Sequence, residues 1–500
     1  MGIIQRQGIK HSIVNFTGLA IGTLCTLFLY AQKEVVEAYG FIQYLLSIAM
    51  IGFPIFSLAA PSVAFRFFPK FQDKSKGHNG LLALLISMSL VGWVVCALFA
   101  WLNWDWISAS LAQDSVLLDE YLWIAFPLTL LYTLALLLNQ YSANFKLIVV
   151  PSILFDLSLK VVLPALLFAM LMHWIDLRLV LWLLLGHFCM VILSIMLYQH
   201  RMGELSLRFD WGFLKPALRS EIGKYAGFSV LTGLALLLAT KADTLMVGTL
   251  TTMKSTGIYA IALNIAAALE IPTKSMYGAS VSFVAKYLAD ENWTELRSLY
   301  RKVSINLLTA GLLIFGCIWV SADDLYTLMP NSSEVSQGKY VLLFLSVAKL
   351  VDMAAGLNNQ LVYYSKYYRY SLVSLGVLAA ANIGFNVWLI PKLGLTGAAI
   401  ATLLSITCYN LFNLYLVWKK FRMQPFTRNN FVVIILAVFA IGAVWFLPST
   451  GYSFLNIVVR AGLFSAIFAV LVLRFRVSED IDGLVNRVFN PVEKSGRQPG

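Results

Sequence analysis

Apolar stretches long enough to cross a bilayer recur from one end of the chain to the other, and no other feature restricts its fold so strongly. A hydrocarbon core takes about 20 residues of helix to span, and within it every backbone N–H and C=O must be satisfied inside the segment, which leaves helices for stretches of this length. Fourteen such stretches lie between polar loops: 12–30, 40–65, 80–102, 121–143, 148–172, 177–198, 226–248, 257–283, 303–321, 340–362, 370–390, 394–418, 431–447 and 455–473. Only 12% of the residues are charged and 59% are hydrophobic, against about 25% charged in a soluble domain. Soluble multidomain enzymes, disulfide-rich secreted proteins and disordered chains are thereby excluded. The expectation is an all-α polytopic membrane protein with about fourteen transmembrane helices.

The first stretch follows Arg6 and Lys10, as a signal peptide would. Its apolar run from Ser12 to Tyr30 is too long for a signal h-region, and no small-x-small cleavage site follows, so it reads as an uncleaved first helix. The net charge of +12 would suggest nucleic acid in a soluble protein; here its distribution gives another answer. Placing the N-terminus and every second loop on one side collects 27 of the 37 Lys and Arg residues there, leaving 5 on the other side and 5 within spans. That asymmetry puts both termini in the cytoplasm. The longest inward connections, 199–225 and 284–302, carry aromatic and apolar residues at helical spacing (Trp211, Leu214; Trp293, Leu296, Tyr300), which predicts surface-lying segments. From Arg474 onward the chain reads as a loose polar tail.

Three internal matches occur in order. YGFIQYLLSIA around Gly40 resembles TGIYAIALNIA around Gly257; Pro54 matches Pro272; and Asn139-Gln140 with Lys146 matches Asn359-Gln360 with Lys366. The offsets of 217, 218 and 220 residues span an even number of helices, so the repeats share an orientation. This predicts two six-helix bundles in parallel pseudo-repeat, a layout used by transporters with a site between the repeats. The expected organisation is 1–198 and 226–418 for the bundles, 199–225 for a cytoplasmic linker, 419–473 for two further helices and 474–500 for a cytoplasmic tail.

Charges inside spans are costly, about 2.5–3.5 kcal/mol each for Asp, Lys or Arg on the insertion scale, and this chain keeps nine. Asp156 and Lys160 stand i,i+4, as do Glu270 and Lys274 beside Pro272, with Asn264 nearby. Lys349 and Asp352 stand i,i+3, with Asn359 seven residues beyond on the same expected stripe. Lys241 and Asp243, at i,i+2, cannot pair within their helix. Arg460 lies near a helix end and is expected to snorkel. Local neutralised pairs that hold helices together explain some of these; nine together point to a water-filled cavity between the bundles. In the second stretch, Gln43, Ser47, Pro54 and Pro61 run towards Arg66, which is either an ordinary inward cation or a first contact for an anionic headgroup.

Asn15, Gly18, Gly22 and Thr26, and likewise Gly397, Ala401 and Ser405, form small-residue stripes suited to close helix packing. Trp101, Trp104 and Trp106 suit an interfacial belt. The five cysteines sit in apolar stretches without metal-ligand spacing. No nucleophile–base pair, metal motif, Walker motif or dinucleotide fingerprint occurs in a sensible context. No catalytic residue, cofactor or metal is therefore expected.

The stretch KADTLMVGTLTTMKSTGIYAIALNIA (241–266), LGLTGAAIATLLS opening at Leu393 and the start GIIQRQGIKHSIVNFTGLAIG resemble polysaccharide-biosynthesis membrane proteins. These are the O-antigen (Wzx-type) flippases of the multidrug/oligosaccharidyl-lipid/polysaccharide exporter superfamily. The resemblance implies an alternating-access transporter in the bacterial inner membrane. It would move an undecaprenyl-pyrophosphate-linked oligosaccharide from the cytoplasmic to the periplasmic leaflet, alongside a polysaccharide polymerase and glycosyltransferases. Asp243 and Gly257-Ile258-Tyr259 fall on the family's pattern. The charge argument adds Arg66, Lys160, Lys241, Lys274 and Lys349 as contacts for the pyrophosphate, with Asn264 and Asn359 beside them. Asp156, Asp243, Glu270 and Asp352 would tune those cations or carry a coupling proton or sodium ion. The alternatives are a multidrug/cation antiporter of the same superfamily and a membrane glycan polymerase or ligase. The last normally needs a larger outer loop than 103–120 or 322–339, where Asp323-Asp324 reads as a solvated turn.

Overall fold

The computed structural model describes residues 17–18, 20–111, 115–208, 212–478, 480 and 483. Arg6, Lys10, Asn15, Trp211 and most of the expected tail lie outside the described residues, as does the beginning of the first helix. The described chain is helical, and it is a multi-pass membrane fold. Among the described residues eleven helices are long and apolar enough to cross a membrane, or twelve when the bent pair Gly338–Ala355 and Asn358–Tyr364 is taken as one span. The expected fourteen differ from this count partly because 370–390 and 394–418 fall in one helical run, Arg369–Phe421. That run is interrupted at Gly394, where φ is +56°. In an unbroken helix residues 389 and 397 would stand about 12 Å apart along the axis. Here a methyl on Gly397 would strike the Leu389 carbonyl, so the chain reverses sharply and only glycine fits.

Backbone contacts divide the chain into two units: Met1–Asn264 with Asn382–Ala398, and Ile265–Ala381 with Ala399–Gly500. In the first, the repeat-related glycines meet. A methyl on Gly40 would collide with the Met253 carbonyl and Gly257, and one on Gly257 would collide with the Val36 carbonyl. Val36–Phe56 and the helix beginning at Met253 thus cross backbone to backbone, as small residues allow. Tyr39, Phe41, Tyr44 and Tyr259 are buried around that crossing.

The expected second span, 40–65, is broken. Val36–Phe56 ends two residues after Pro54, Leu58 and Ala59 take positive φ, and Ala60–Phe71 begins with Pro61 in its first turn. Arg66 consequently lies within a second, amphipathic helix, whose other face buries Val63, Ala64, Phe67 and Phe71.

In the second unit, the core is built on Trp293–Val320, with Leu296, Tyr300, Leu307 and Leu308 buried against Met353, Leu357, Phe464 and Phe468. The surface-lying segment expected up to residue 302 is corrected here. Asn292 caps this helix by accepting from the Glu295 N–H, so Leu296 and Tyr300 are already core residues. Their spacing reports a buried stripe of a spanning helix rather than a membrane-surface face.

Candidate functional site

Pro272 positions the principal charged cluster. Lacking an N–H and crowding the carbonyl one turn back, it coincides with a tight 3₁₀ turn at Ala267–Leu269, after which a new helix, Glu270–Ala289, starts. Glu270 directly follows this turn, within the helical run Met253–Ala289. Its carboxylate joins two lysines: Lys349 Nζ lies 2.6 Å from Oε1 and Lys274 Nζ 2.9 Å from Oε2. The Lys274 side chain remains 77% exposed, whereas Glu270 and Lys349 are 32% and 28% exposed. Two cations share one carboxylate, with one ammonium turned outward, and Asp352 stands one turn from Lys349 on the same helix.

The local pair expected between Lys349 and Asp352 does not form. Lys349 reaches across to Glu270, and Asp352 instead accepts from Asn410 Nδ2 at 3.1 Å. Asn410 Oδ1 in turn accepts from Asn358 Nδ2 at 2.8 Å. The stripe expected through Asn359 is also broken, because Gly356 has φ +59° and bends the helix pair by 53°. Asn358 is buried and Asn359 is half-buried, donating its N–H to the Asn358 side chain. Tyr277, one turn beyond Lys274, donates to the Gly356 carbonyl at 2.9 Å and ties the proline-started helix to the bend. Asn358, Asn410 and Tyr277 were not singled out from the sequence. The only available signal was Gly356 inside an apolar helix.

In the first unit, Asp243 is buried and accepts from the Tyr259 hydroxyl at 2.6 Å, the partner from another helix that the i,i+2 spacing with Lys241 demanded. Lys241 is half-buried. Asn264 donates to the Tyr39 hydroxyl at 2.8 Å and to Thr26 Oγ1 at 3.3 Å, and Tyr30 stacks on Tyr39 with centroids 4.0 Å apart. Asp156 lies in a π-helical stretch, Ile153–Leu157, and both it and Lys160 are exposed. The Lys160 stem packs over Gly18. Arg66 is exposed, with its guanidinium 4.4 Å from the Tyr225 ring centroid.

Two expectations for the outer end are corrected. Arg460 does not snorkel: its guanidinium lies 2.8 Å from Asp324 Oδ2 and also donates to the Leu447 carbonyl. Asp324 is no solvated turn residue either. It is buried, and Asn456 Nδ2 donates to its other oxygen at 2.8 Å. Asp323, on a different face of the same short helix, pairs with Lys339.

The MatE family model matches residues 229–390, about a third of the chain. The probable flippase AglR of Haloferax volcanii is 29% identical over 205 residues, which cover 39% of this chain and 42% of AglR. The chain thus spans about two fifths of the length of that curated relative. Over those parts of its length the chain is similar to a MatE sequence and to a probable flippase. Among solved structures, the lipid II flippase MurJ in an inward closed conformation is similar with a TM-score of 0.72 at 14% identity, covering 94% of this chain and 100% of MurJ. A mutant of the Vibrio cholerae MATE transporter VcmN gives a TM-score of 0.54 at 17% identity, covering 83% and 97%. An inward-facing MATE-family multidrug resistance transporter gives 0.53 at 15% identity, covering 82% and 94%. At these identities the structural likenesses speak for the fold.

Proposed function

We propose that the chain is an alternating-access flippase that carries an undecaprenyl-pyrophosphate-linked oligosaccharide from the cytoplasmic to the periplasmic leaflet of a bacterial inner membrane, for O-antigen or related surface polysaccharide. The observation that carries this reading is the open triad of Lys274, Glu270 and Lys349. An uncovered ammonium among apolar helices is costly, and a diphosphate is a partner that offsets the cost. In this reading Glu270 fixes Lys349 and leaves the Lys274 ammonium to meet the pyrophosphate. Lys241, Lys160 and Arg66 supply further charge along a hydrated path. Asn264 and Asn359 offer amides to sugar hydroxyls, and the prenyl tail stays in lipid. Asp156, Asp243 and Asp352 tune those cations or take a coupling proton or sodium ion. Both termini face the cytoplasm, and the polymerase and glycosyltransferases of the same polysaccharide are the expected partners. No step is enzymatic.

A cation antiporter is the second reading, favoured by the buried acid Asp243 with its tyrosine hydroxyl. A knockout strain separates the two. Accumulation of lipid-linked repeat units in the inner leaflet, reversed by the wild-type gene, is expected of the flippase. Normal lipid-linked intermediates together with sodium- or proton-driven release of a cationic dye from vesicles would overturn it.

A further inference from the structure

A second basic feature lies away from the triad, at the polar ends of three spans of the second unit. A cavity of about 690 Å³ opens between the starts of Trp293–Val320 and Arg428–Trp445 and the end of Ser453–Arg474. Among the described residues, Arg297, Arg301, Arg428 and Arg476 line it together with Lys302 and the carboxylate of Asp480. Asn306 already donates to Asp480 at 2.7 Å, and Arg297 keeps one donor on the Arg422 carbonyl at 3.3 Å. Arg297 and Arg301 stand i,i+4, a like-charge spacing that weakens a helix unless an anion sits between them.

Hydrogen bonds hold the walls. Asn430 completes the Thr427 cap, and Asn429 donates to the Val477 carbonyl at 2.8 Å. Arg476 is turned by a positive φ of 48°. Guanidinium groups present paired donors that match phosphate oxygens. Beyond Arg428, Phe431, Ile435 and Val438 continue at helical spacing and are exposed on a helix long and apolar enough to span a membrane, and Trp293 lines the cavity. The pocket thus lies where a spanning helix passes from hydrocarbon to headgroups, the level at which basic pockets between helices meet anionic lipid.

We propose that this pocket binds the phosphate of an anionic phospholipid headgroup, whose acyl chains stay in the bilayer beside Phe431 and Ile435. The site is independent of the transported substrate. The test uses the full-length protein in neutral detergent with fluorescent phosphatidylglycerol, the matching phosphatidylcholine as reference and inorganic phosphate as competitor. Arg301→Gln with Arg428→Gln should weaken phosphatidylglycerol binding roughly thirty-fold, from about fivefold per cation removed. Lys286→Gln, an exposed cation of the same unit outside the pocket, should leave it unchanged. Wild-type affinity in the double variant would overturn the proposal. Displacement by micromolar inorganic phosphate would assign the pocket to a soluble phosphate and overturn the lipid as its source. Should the double variant fail to fold, a photoactivatable phosphatidylglycerol headgroup on the wild type decides. Labelling of residues 293–305, 427–429 or 476–478 is expected, and labelling confined elsewhere would refute the site.

Discussion

Two charged clusters of the same unit, one between spans and one joining a span to the short helix Ala322–Leu328, are built oppositely. Around Asp324 the charges are matched one to one: Arg460 takes one oxygen and Asn456 the other, with the two charged side chains 11% and 18% exposed. Around Glu270 two lysines share one carboxylate, and Lys274 is largely uncovered. A neutral, covered cluster has satisfied its own desolvation cost and fastens helices. A cluster with an uncovered ammonium is arranged for something that arrives. Counting charges does not separate the two; cover does.

The largest effect expected from this contrast is functional. Lys274→Ala should abolish export of the lipid-linked sugar while membrane abundance and melting temperature stay at wild-type values. Lys241→Ala should behave likewise. Complementation of the knockout by both variants would remove the open-cluster reading. Next comes the closed cluster. Arg460→Ala leaves Asp324 covered and without its cation, so a loss of about 3–5 kcal/mol is expected, seen as reduced abundance and a lower melting temperature. Replacing Arg460 and Asp324 together by Met and Leu should recover much of it.

A smaller cost falls on the glycine crossing of the other unit. Gly40→Ala forces a methyl against the Met253 carbonyl, and overpacking of this kind costs about 1–3 kcal/mol. Gly442→Ala, with open space around it, should be neutral in the same thermal assay.

The smallest effect is electrostatic and lies outside the spans, at Glu204. Partial burial pushes its carboxyl pKa up, but hydrogen bonds and charge from Lys74 and His78 outweigh that and hold it below the ordinary value. Since the folded pKa is depressed, this contribution to stability is full above the ordinary carboxylate range. It is lost as pH falls through that range towards the folded value. Glu204→Gln should therefore flatten the acid side of a melting-temperature profile and leave its neutral side slightly lower. An unchanged acid limb would show the contact to be inert.

Hydropathy made the helical membrane fold legible because it averages over a whole span, and single residues barely disturb it. Pro272 was readable too, since the loss of a backbone donor is a property of the residue itself. The breaks at Leu58-Ala59 and Gly356 were not, because their φ values follow from the packing of the surrounding helices. Nor could spacing show that Lys349 would leave Asp352 for Glu270. Periodicity identifies neighbours on one helix, whereas that ion pair joins two. Asp323 and Asp324 make the same point: adjacent and chemically alike, they face about 100° apart on a helix, and only one meets Arg460.

The most direct test is translocation in proteoliposomes holding purified protein and an undecaprenyl-pyrophosphate-linked oligosaccharide, with wild type, Lys274→Ala and the Asp324→Leu/Arg460→Met pair measured side by side. With the open cluster carrying the anion, the wild type and the paired variant should move the lipid, and Lys274→Ala should not. Wild-type translocation by Lys274→Ala, or none by any of the three alongside sodium- or proton-driven movement of a cationic dye, would contradict it.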